Sequence, residues 1–150
     1  MMIKLMPNHF PVVRDRLPAA TWSSLISLTS RSGLSNSEWD ALLSMPNHAY
    51  YIAPTLDFLV ELTRVDVKYA ALSFSLHGAP TENIFGTWLK NTMEKTGCSK
   101  AYGYLFDWET REAQGLERLG FEREAIFREH VYTRDGYQNL LVFGLLGALR

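Results

Sequence analysis

Several polar side chains in the middle of the sequence could exchange a proton with a substrate. Tyr102 and Tyr104 stand two residues apart, which places both phenols on one face of a strand. Glu109 follows them, and His77 lies in an earlier segment. Phenol, carboxyl and imidazole groups are common general acids and bases. Each also has a structural alternative: the tyrosines as packing aromatics, Glu109 as the charge at a helix start, and His77 as a loop residue.

The cysteine and histidine residues favour no metal or disulfide chemistry. Cys98 is the only cysteine, so the chain cannot form an internal disulfide bond, and its place after a helix-ending glycine favours a structural role. The spacing of the histidines is not typical of metal ligands; they are His9, His48, His77 and His130. The sequence therefore predicts no metal site and favours the reducing cytoplasm.

Length and composition are those of an ordinary globular protein. The 150 residues suit a single domain, which we predict over residues 1–150. A formal net charge of −1 favours binding to neither nucleic acid nor anionic lipid. The first ten residues lack the apolar segment of a signal peptide, and no apolar run reaches the ~18 residues of a membrane span.

Hydrophobic periodicity and breaking residues predict an alternation of strands and helices. Predicted strands cover residues 2–6, 48–54, 57–62, 69–78, 100–108, 121–133 and 137–146, and predicted helical segments cover residues 10–32, 35–45, 81–97 and 109–120. In the strand 69–78, Leu72, Phe74 and Leu76 alternate with smaller or polar residues, which is typical of a half-buried strand. The helix that starts after Thr81 has the apolar stripe Phe85, Trp88, Leu89 and Met93 and ends at Gly97.

The turn and the final strand of the last hairpin indicate how the sheet is completed. Asp135-Gly136 is a two-residue hairpin signal. The strand after it is apolar on both faces, which favours a central position in the sheet. The predicted architecture is α+β: an antiparallel meander, a crossover helix, a strand, a second helix, and a hairpin whose last strand inserts into the sheet.

The C-terminal segment carries a family resemblance. "GLERLGFEREAIFREHVYTRDGYQNLLVFGLL", from Gly115 to Leu146, resembles the C-terminal third of the GNAT superfamily of N-acetyltransferases, especially the branch that acetylates ribosomal proteins. There a helix ends on Leu-Gly-Phe, here Leu119, Gly120 and Phe121, and a strand and hairpin follow. The resemblance implies the GNAT-like acyl-CoA N-acyltransferase fold, a mixed, mostly antiparallel central sheet flanked by helices.

The resemblance also implies acetyl-CoA as cosubstrate. The family's pyrophosphate loop follows its fourth strand, and the matching stretch here is "HGAPTENIFG", with Thr81 at a basic or amide place, Ile84 at the first glycine place and Gly86 at the last. Glu82 adds a negative charge that the family pattern lacks. The residues implied for cofactor binding are Phe74, Leu76, Thr81, Glu82, Asn83, Ile84, Phe85, Gly86 and Thr87.

The catalytic side chains of the family are replaced at the matching positions. The backbone amides of Phe74 and Leu76 would polarise the thioester carbonyl, which requires only that the fourth and fifth strands splay apart. Leu116 stands where the family usually has a tyrosine, and Glu109 stands where it has an asparagine. Ala71 stands where the fourth strand often carries an acidic residue. Tyr104 and Glu109 are therefore the predicted catalytic residues.

Two functions follow from this pattern. The first is acetyl-CoA-dependent transfer of an acetyl group to a primary amine on a small molecule or protein, within a family that often forms homodimers. The second is a catalytically degenerate GNAT-fold binding or structural protein, because the altered glycine motif and the "YTRDG" hairpin also resemble small phage-encoded proteins of this fold. In the enzyme, the start of the helix at Thr81 faces an open cleft; in the degenerate protein, Ile84 and Phe85 fill it.

Overall fold

The computed structural model describes residues 1–9, 48–133 and 135–147. Within these residues, seven strands form one sheet in the order β1-β2-β3-β4-β5-β7-β6. The strands are β1 (Ile3–Lys4), β2 (Ala49–Ile52), β3 (Leu59–Asp66), β4 (Ala71–His77), β5 (Lys100–Phe106), β6 (Glu122–Thr133) and β7 (Gly136–Leu146). A 3-10 turn covers Pro7–His9, and the helices are α1 (Glu82–Thr96) and α2 (Thr110–Arg118). The helical segments predicted within residues 10–45 lie outside the described residues.

The sheet is mixed, as the sequence predicted. Among the described strands only β4 and β5 pair in parallel, and the remaining neighbours are antiparallel. Parallel neighbours need a crossover connection, and α1 provides it between these two strands. The mixed, mostly antiparallel sheet with flanking helices is therefore confirmed.

Helix α1 begins and ends where the sequence indicated. The predicted apolar stripe is buried, and Gly97 takes the left-handed conformation at φ 71°, which lets the Cys98 amide donate to the Met93 carbonyl. Thr81 occupies the N-cap position with extended backbone, but its side chain makes no capping hydrogen bond. In its place Asn83 Oδ1 accepts the Ile84 amide at 3.0 Å.

The junction between α2 and β6 is also confirmed. Gly120 has φ 99°, a conformation that glycine adopts without steric cost. Its amide donates to the Glu117 carbonyl, and the Phe121 amide donates to the Leu116 carbonyl, so the last turn of the helix is closed. Phe121 then enters the core and is almost completely buried.

The last strand lies inside the sheet, as its two apolar faces predicted, because β7 pairs with both β5 and β6. The turn of the hairpin is one residue earlier than predicted. Thr133 pairs with Gly136, so the turn lies before Gly136, which is the first residue of β7. Its φ of 100° explains the glycine there, and the Thr133 hydroxyl reinforces the turn by donating to the Gly136 carbonyl at 3.0 Å.

Both described helices pack on one face of the sheet, here called the helix face, which carries Leu72, Phe74 and Leu76. The Phe74 ring lies against those of Phe85 from α1 and Phe121 after α2, with centroids 5.3 and 5.7 Å apart. Gly103 on β5 leaves room for this packing, since a Cβ there would meet Phe74 at 2.9 Å and Leu116 at 3.0 Å. The opposite face, here called the far face, carries Ser73, Ser75 and His77 of β4.

Candidate functional site

Strands β4 and β5 separate toward their C-terminal ends. Their last pair is Ser75 with Tyr104, although β4 continues to His77 and β5 continues to Phe106. Between the separated ends lies a cavity of about 40 Å³. Its lining residues are Ser75, Leu76, His77, Tyr104, Leu105, Phe106, Glu109, Val131 and Leu140. The splay that the sequence hypothesis required is therefore present, and it gathers Leu76, Tyr104 and Glu109.

Glu109 stands at the N-cap of α2 and is 4% exposed. Its Oε1 accepts the Phe106 amide at 2.9 Å, while its own amide donates to the Phe106 carbonyl at 3.1 Å. The carboxylate thus closes the turn between β5 and α2. This places a buried acidic group at the wall of the cavity and fixes the direction in which β5 ends.

Tyr104 lies between two spaces. Its half-buried side chain lines the splay cavity and also an open groove of about 370 Å³ on the far face. That groove is lined by Arg64, Asp66, Tyr69, Ala71, Ser73, Lys100, Tyr102 and Tyr104. A phenol at this boundary can contact a molecule in the groove and a group in the cavity.

A buried polar cluster borders the same cavity on the far face. His77, which lies within the predicted strand 69–78 but was also considered as a loop residue, is the last residue of β4 and is 1% exposed. Its Nε2 lies 3.3 Å from Glu61 Oε1, and His48 Nδ1 lies 3.0 Å from Glu61 Oε2. The predicted strand is confirmed at this residue and the loop alternative is wrong, because β4 extends through His77, which pairs with Leu59 of β3.

Glu61 was not recognised from the sequence, although a signal existed. It is the lone charged residue in the apolar run from Phe58 to Leu62, and a buried carboxylate in a strand requires polar partners. Tyr50 is paired with Glu61 across β2 and β3, so its hydroxyl is on the same face and donates to the carboxylate. The partners come from residues 11 to 16 positions away, which no local pattern reveals.

The electrostatics of the cluster favour an ionised Glu61. Burial raises the pKa of Glu61, but hydrogen bonds and positive charge from His77 and His48 outweigh burial, so the pKa lies below its ordinary value. Burial, followed by the charge and hydrogen bond of Glu61, raises the pKa of Tyr50, which therefore stays a neutral phenol. The cluster consists of one carboxylate, two imidazoles and a phenol.

The predicted phosphate loop is divided between the core and the surface. Phe85 and Gly86 are buried, with Gly86 against Leu119, so the ring of Phe85 lies in the core and not in a cleft. Asn83, Ile84 and Thr87 face a separate hollow of about 500 Å³. The rest of that hollow is lined by Met1, Met2, Trp88 and Asn91.

The negative charge of Glu82 is neutralised. Its Oε1 accepts from the Arg118 guanidinium at 2.8 Å, which joins the first turn of α1 to the last turn of α2. Gly115 of α2 also packs on the ring of Pro80, in the loop that precedes α1. The Glu82 carboxylate, whose negative charge departs from the family pattern, is therefore paired with a guanidinium.

The described residues show neither a metal-binding group nor a membrane-spanning helix. They contain no group of three or more His, Cys, Asp and Glu side chains that could hold a metal ion. No helix in the described part of the chain is long and apolar enough to cross a membrane.

Comparison with known proteins gave structural matches alone. No protein-family profile and no curated protein matches the sequence. A structure assigned as an acetyltransferase superposes with TM-score 0.77 at 15% identity, covering 97% of this chain and 84% of the other. A protein assigned to the GNAT family from Chromobacterium violaceum gives TM-score 0.74 at 15% identity over 97% and 81% of the two chains. A variant of spermidine N-acetyltransferase SpeG from Vibrio cholerae gives 0.71 at 14% identity over 97% and 94%. The chain therefore has the fold of the GNAT acetyltransferases.

Proposed function

We propose that this protein is a single-domain N-acetyltransferase that uses acetyl-CoA and transfers the acetyl group directly to a primary amine. The observation that carries the proposal is the splay of β4 and β5, because it opens a cavity with acid–base side chains at the end of the strand that precedes α1. In the reaction, the amine nitrogen forms a bond to the thioester carbon as the C–S bond breaks. One proton leaves the nitrogen, and the thiolate takes up one proton.

The cosubstrate would follow β4. Backbone amides at the start of α1 are suited to a pyrophosphate, because a helix N-terminus attracts anions. The contact of Glu82 with Arg118 removes the repulsion that an unpaired carboxylate would exert there. The thioester would then reach the splay, where the amides of Phe74 and Leu76 are the proposed donors to its carbonyl oxygen.

Tyr104 is the proposed acid for the leaving thiolate. Its side chain lines both the cavity and the groove, so it can face the thioester from one side and the acceptor from the other. Glu109 is the proposed acidic member of the site, and its contact with the Phe106 amide orients the end of β5. The groove on the far face is the proposed entry for the acceptor amine.

A second candidate is a GNAT-fold protein that binds partners without catalysis. The observation favouring it is the size of the splay cavity, since about 40 Å³ holds one water molecule and a pantetheine arm needs far more. In this alternative the apolar walls of the splay stay closed, and Tyr104 and Glu109 serve packing and turn formation. The SpeG protein of Vibrio cholerae has been solved as a dodecamer, and a homodimer is proposed for this chain under either function.

The test is calorimetric titration of the purified chain with acetyl-CoA, free CoA and 3′-dephospho-CoA. The enzyme is expected to bind acetyl-CoA in the micromolar range, roughly −8 kcal/mol. Tyr104→Phe should preserve that affinity and lower the rate of thiol release with an amine acceptor. A folded sample that does not bind at millimolar acetyl-CoA would contradict the enzyme and favour the binding protein.

A further inference from the structure

We infer that the groove on the far face selects an acceptor amine carried on an uncharged aromatic ring, and that Tyr102 determines this specificity. The inference rests on the proposed function, because it names the substrate class for the acceptor entrance of the same site. It is carried by the shape of the groove, by its three tyrosines and by the pairing of its charges.

The groove arises because small side chains on β4 lie between larger ones on the two neighbouring strands. Ala71 and Ser73 line it from β4. Ser73 stands opposite Tyr102 of β5 on one side and opposite Arg64 of β3 on the other. An apolar cavity of about 150 Å³ is enough to hold benzene. The groove, at about 370 Å³, therefore has room for one ring and a short chain.

Tyrosine rings supply aromatic surface along the groove. Tyr69, in the turn between β3 and β4, is 70% exposed, and Tyr102 and Tyr104 are half-buried. The ammonium group of Lys68 lies 5.4 Å from the centroid of the Tyr69 ring. That of Lys100 lies 4.8 Å from the centroid of the Tyr102 ring. A cation covers one face of a ring, so the opposite face can stack on a planar ligand.

The charged residues that line the groove are held in ion pairs. Arg64 Nη2 donates to Asp66 Oδ2 at 2.8 Å, which pairs two lining residues with each other. Lys100 Nζ donates to Glu124 Oε1 at 3.2 Å. A polyamine or an acid would therefore meet opposite charges that largely cancel. The body of the acceptor is expected to be uncharged, apart from the amine that reacts.

A chain of contacts that begins on β6 holds the ring of Tyr102. The register of β6 against β7 shifts at Glu124, and the carboxylate of Glu124 lies over Gly144, where any Cβ would overlap it. From there it binds Lys100, whose ammonium stands over Tyr102. Hydrogen bonds, first with Tyr102 and then with Glu124, raise the pKa of Lys100. Lys100 and Glu124 are therefore the positioning residues of Tyr102.

The spacing along β5 relates the ring of the acceptor to its nitrogen. Tyr104 lies about 7 Å beyond Tyr102, because two residues of a strand span that distance. Tyr104 also lines the splay cavity, whereas Tyr102 lines the groove alone. An amine joined to its ring by a short alkyl chain would place the ring on Tyr102 and the nitrogen at the splay. The transfer step itself stays as proposed above.

The experiment compares phenethylamine with cyclohexylethylamine, which has the same chain and amine but a puckered, non-aromatic ring. Spermidine and glucosamine complete the panel as a polyamine and a sugar amine. Thiol release from acetyl-CoA gives kcat and KM for the wild type, Tyr102→Leu and Tyr102→Phe. The control is Tyr137→Leu, which removes an exposed tyrosine on β7 outside the groove. Calorimetry measures the acetyl-CoA affinity of each variant separately.

The wild type is expected to use phenethylamine with a kcat/KM about 5- to 10-fold above that for cyclohexylethylamine, since ring stacking adds to the burial of apolar area. Tyr102→Leu should raise KM for phenethylamine by a similar factor, keep kcat and remove the preference. Tyr102→Phe should retain the preference, because it keeps the ring. Tyr137→Leu should change neither constant, and acetyl-CoA affinity should be equal in all variants.

The positioning residues are tested by a smaller change in the same constant. Lys100→Met and Glu124→Gln should each raise KM for phenethylamine about 2- to 3-fold without lowering kcat. Lys100→Arg should restore the wild-type KM, because a guanidinium can also cover the ring of Tyr102. A merely structural ion pair would change stability and leave the ratio of the two KM values unmoved.

The outcomes separate this inference from the proposed function. Wild-type protein that binds no acetyl-CoA and releases no thiol with any amine overturns the proposed function, and the acceptor role of the groove with it. Wild-type protein that turns over cyclohexylethylamine, spermidine or glucosamine as well as phenethylamine overturns the inference alone. An unchanged KM in folded Tyr102→Leu does the same. If Tyr102→Leu does not fold, the comparison of amines on the wild type decides, since it needs no variant.

Discussion

The two faces of the β-sheet hold the chain together by different means. On the helix face, Phe74 packs against rings from α1 and from the segment after α2, and glycines shape the contact. On the far face, Glu61 is buried between two histidines and a tyrosine. Packing of apolar groups does not depend on protonation, whereas the far face depends on the charge of one carboxylate.

Because of this difference, the helix face serves mainly stability, and the far face carries the titratable groups. The helix face at Phe74 is closed by its own side chains, so it can support the splay but offers no polar side chain to a substrate. The far face brings titratable groups to the end of β4, where the strands separate. A change in pH should therefore act on one face, and a change in side-chain volume should act mainly on the other.

The largest effect is expected from Phe74→Ala. The ring is fully buried, and its removal leaves a cavity between β4, α1 and α2, so unfolding should become easier by about 3–5 kcal/mol. Urea denaturation at several pH values should give the same loss at each. Phe127→Ala on β6, where the ring is 43% exposed, is the matched control and should cost far less. A loss that varies with pH would break the comparison of the faces.

A smaller, pH-dependent effect is expected from Glu61→Gln. The folded pKa of Glu61 lies below its unfolded value of 4.5, so its contribution is complete above that value and is lost as the pH falls through the folded pKa. The variant should be less stable by about 1–3 kcal/mol at neutral pH, and the difference should shrink toward acid. Glu122→Gln, at an exposed carboxylate on β6, should show no such trend. A difference that stays constant down to strongly acidic pH would contradict this account.

Gly115→Ala tests the contact between α2 and the loop that precedes α1. A Cβ at Gly115 would lie 2.7 Å from the Pro80 ring, which cannot rotate away, so we expect a net loss of about 1–3 kcal/mol despite the better helix propensity of alanine. Gly86→Ala is the control, because its Cβ meets only the flexible end of Leu119 at 3.3 Å. Thermal unfolding of both variants measures the difference, and equal stabilities would show that the loop at Pro80 yields.

The smallest effect on stability is expected from Glu82→Gln. The ion pair with Arg118 is exposed, so the free energy of unfolding should change by less than about 1 kcal/mol. Acetyl-CoA affinity should rise several-fold at low salt, because a negative charge is removed and a guanidinium becomes available at the start of α1. Calorimetry at two salt concentrations measures this, and unchanged or weaker binding would mean that the pyrophosphate binds elsewhere.

Much of the fold could be predicted because the relevant signals are local. The stripe of α1, the glycine after α2 and the two apolar faces of β7 each lie within one segment, and each was confirmed. The turn of the last hairpin was predicted one residue late, since Asp135-Gly136 is a turn pair by itself. The true register depends on the pairing of Thr133 with Gly136, which a dipeptide does not specify.

The sequence predicted only those site residues whose positions follow from the order of strands and helices. Tyr104 and Glu109 do border the splay, although their catalytic roles stay predictions. The cluster at Glu61 was missed because its contacts cross three strands and join residues far apart in sequence. A single charge within an apolar strand was the available signal, and it indicates a buried partner without naming it.

The interior position of β7 affects how the protein folds during its synthesis. While the ribosome is still synthesising the hairpin, β5 has no neighbour on the side that β7 will occupy, and its backbone groups there are open to wrong partners. The sheet reaches its final order only when residues 136–146 have emerged and inserted between β5 and β6. A nascent chain stalled before that point should be a substrate for chaperones, and folding should be slower than for a sheet that grows strand by strand.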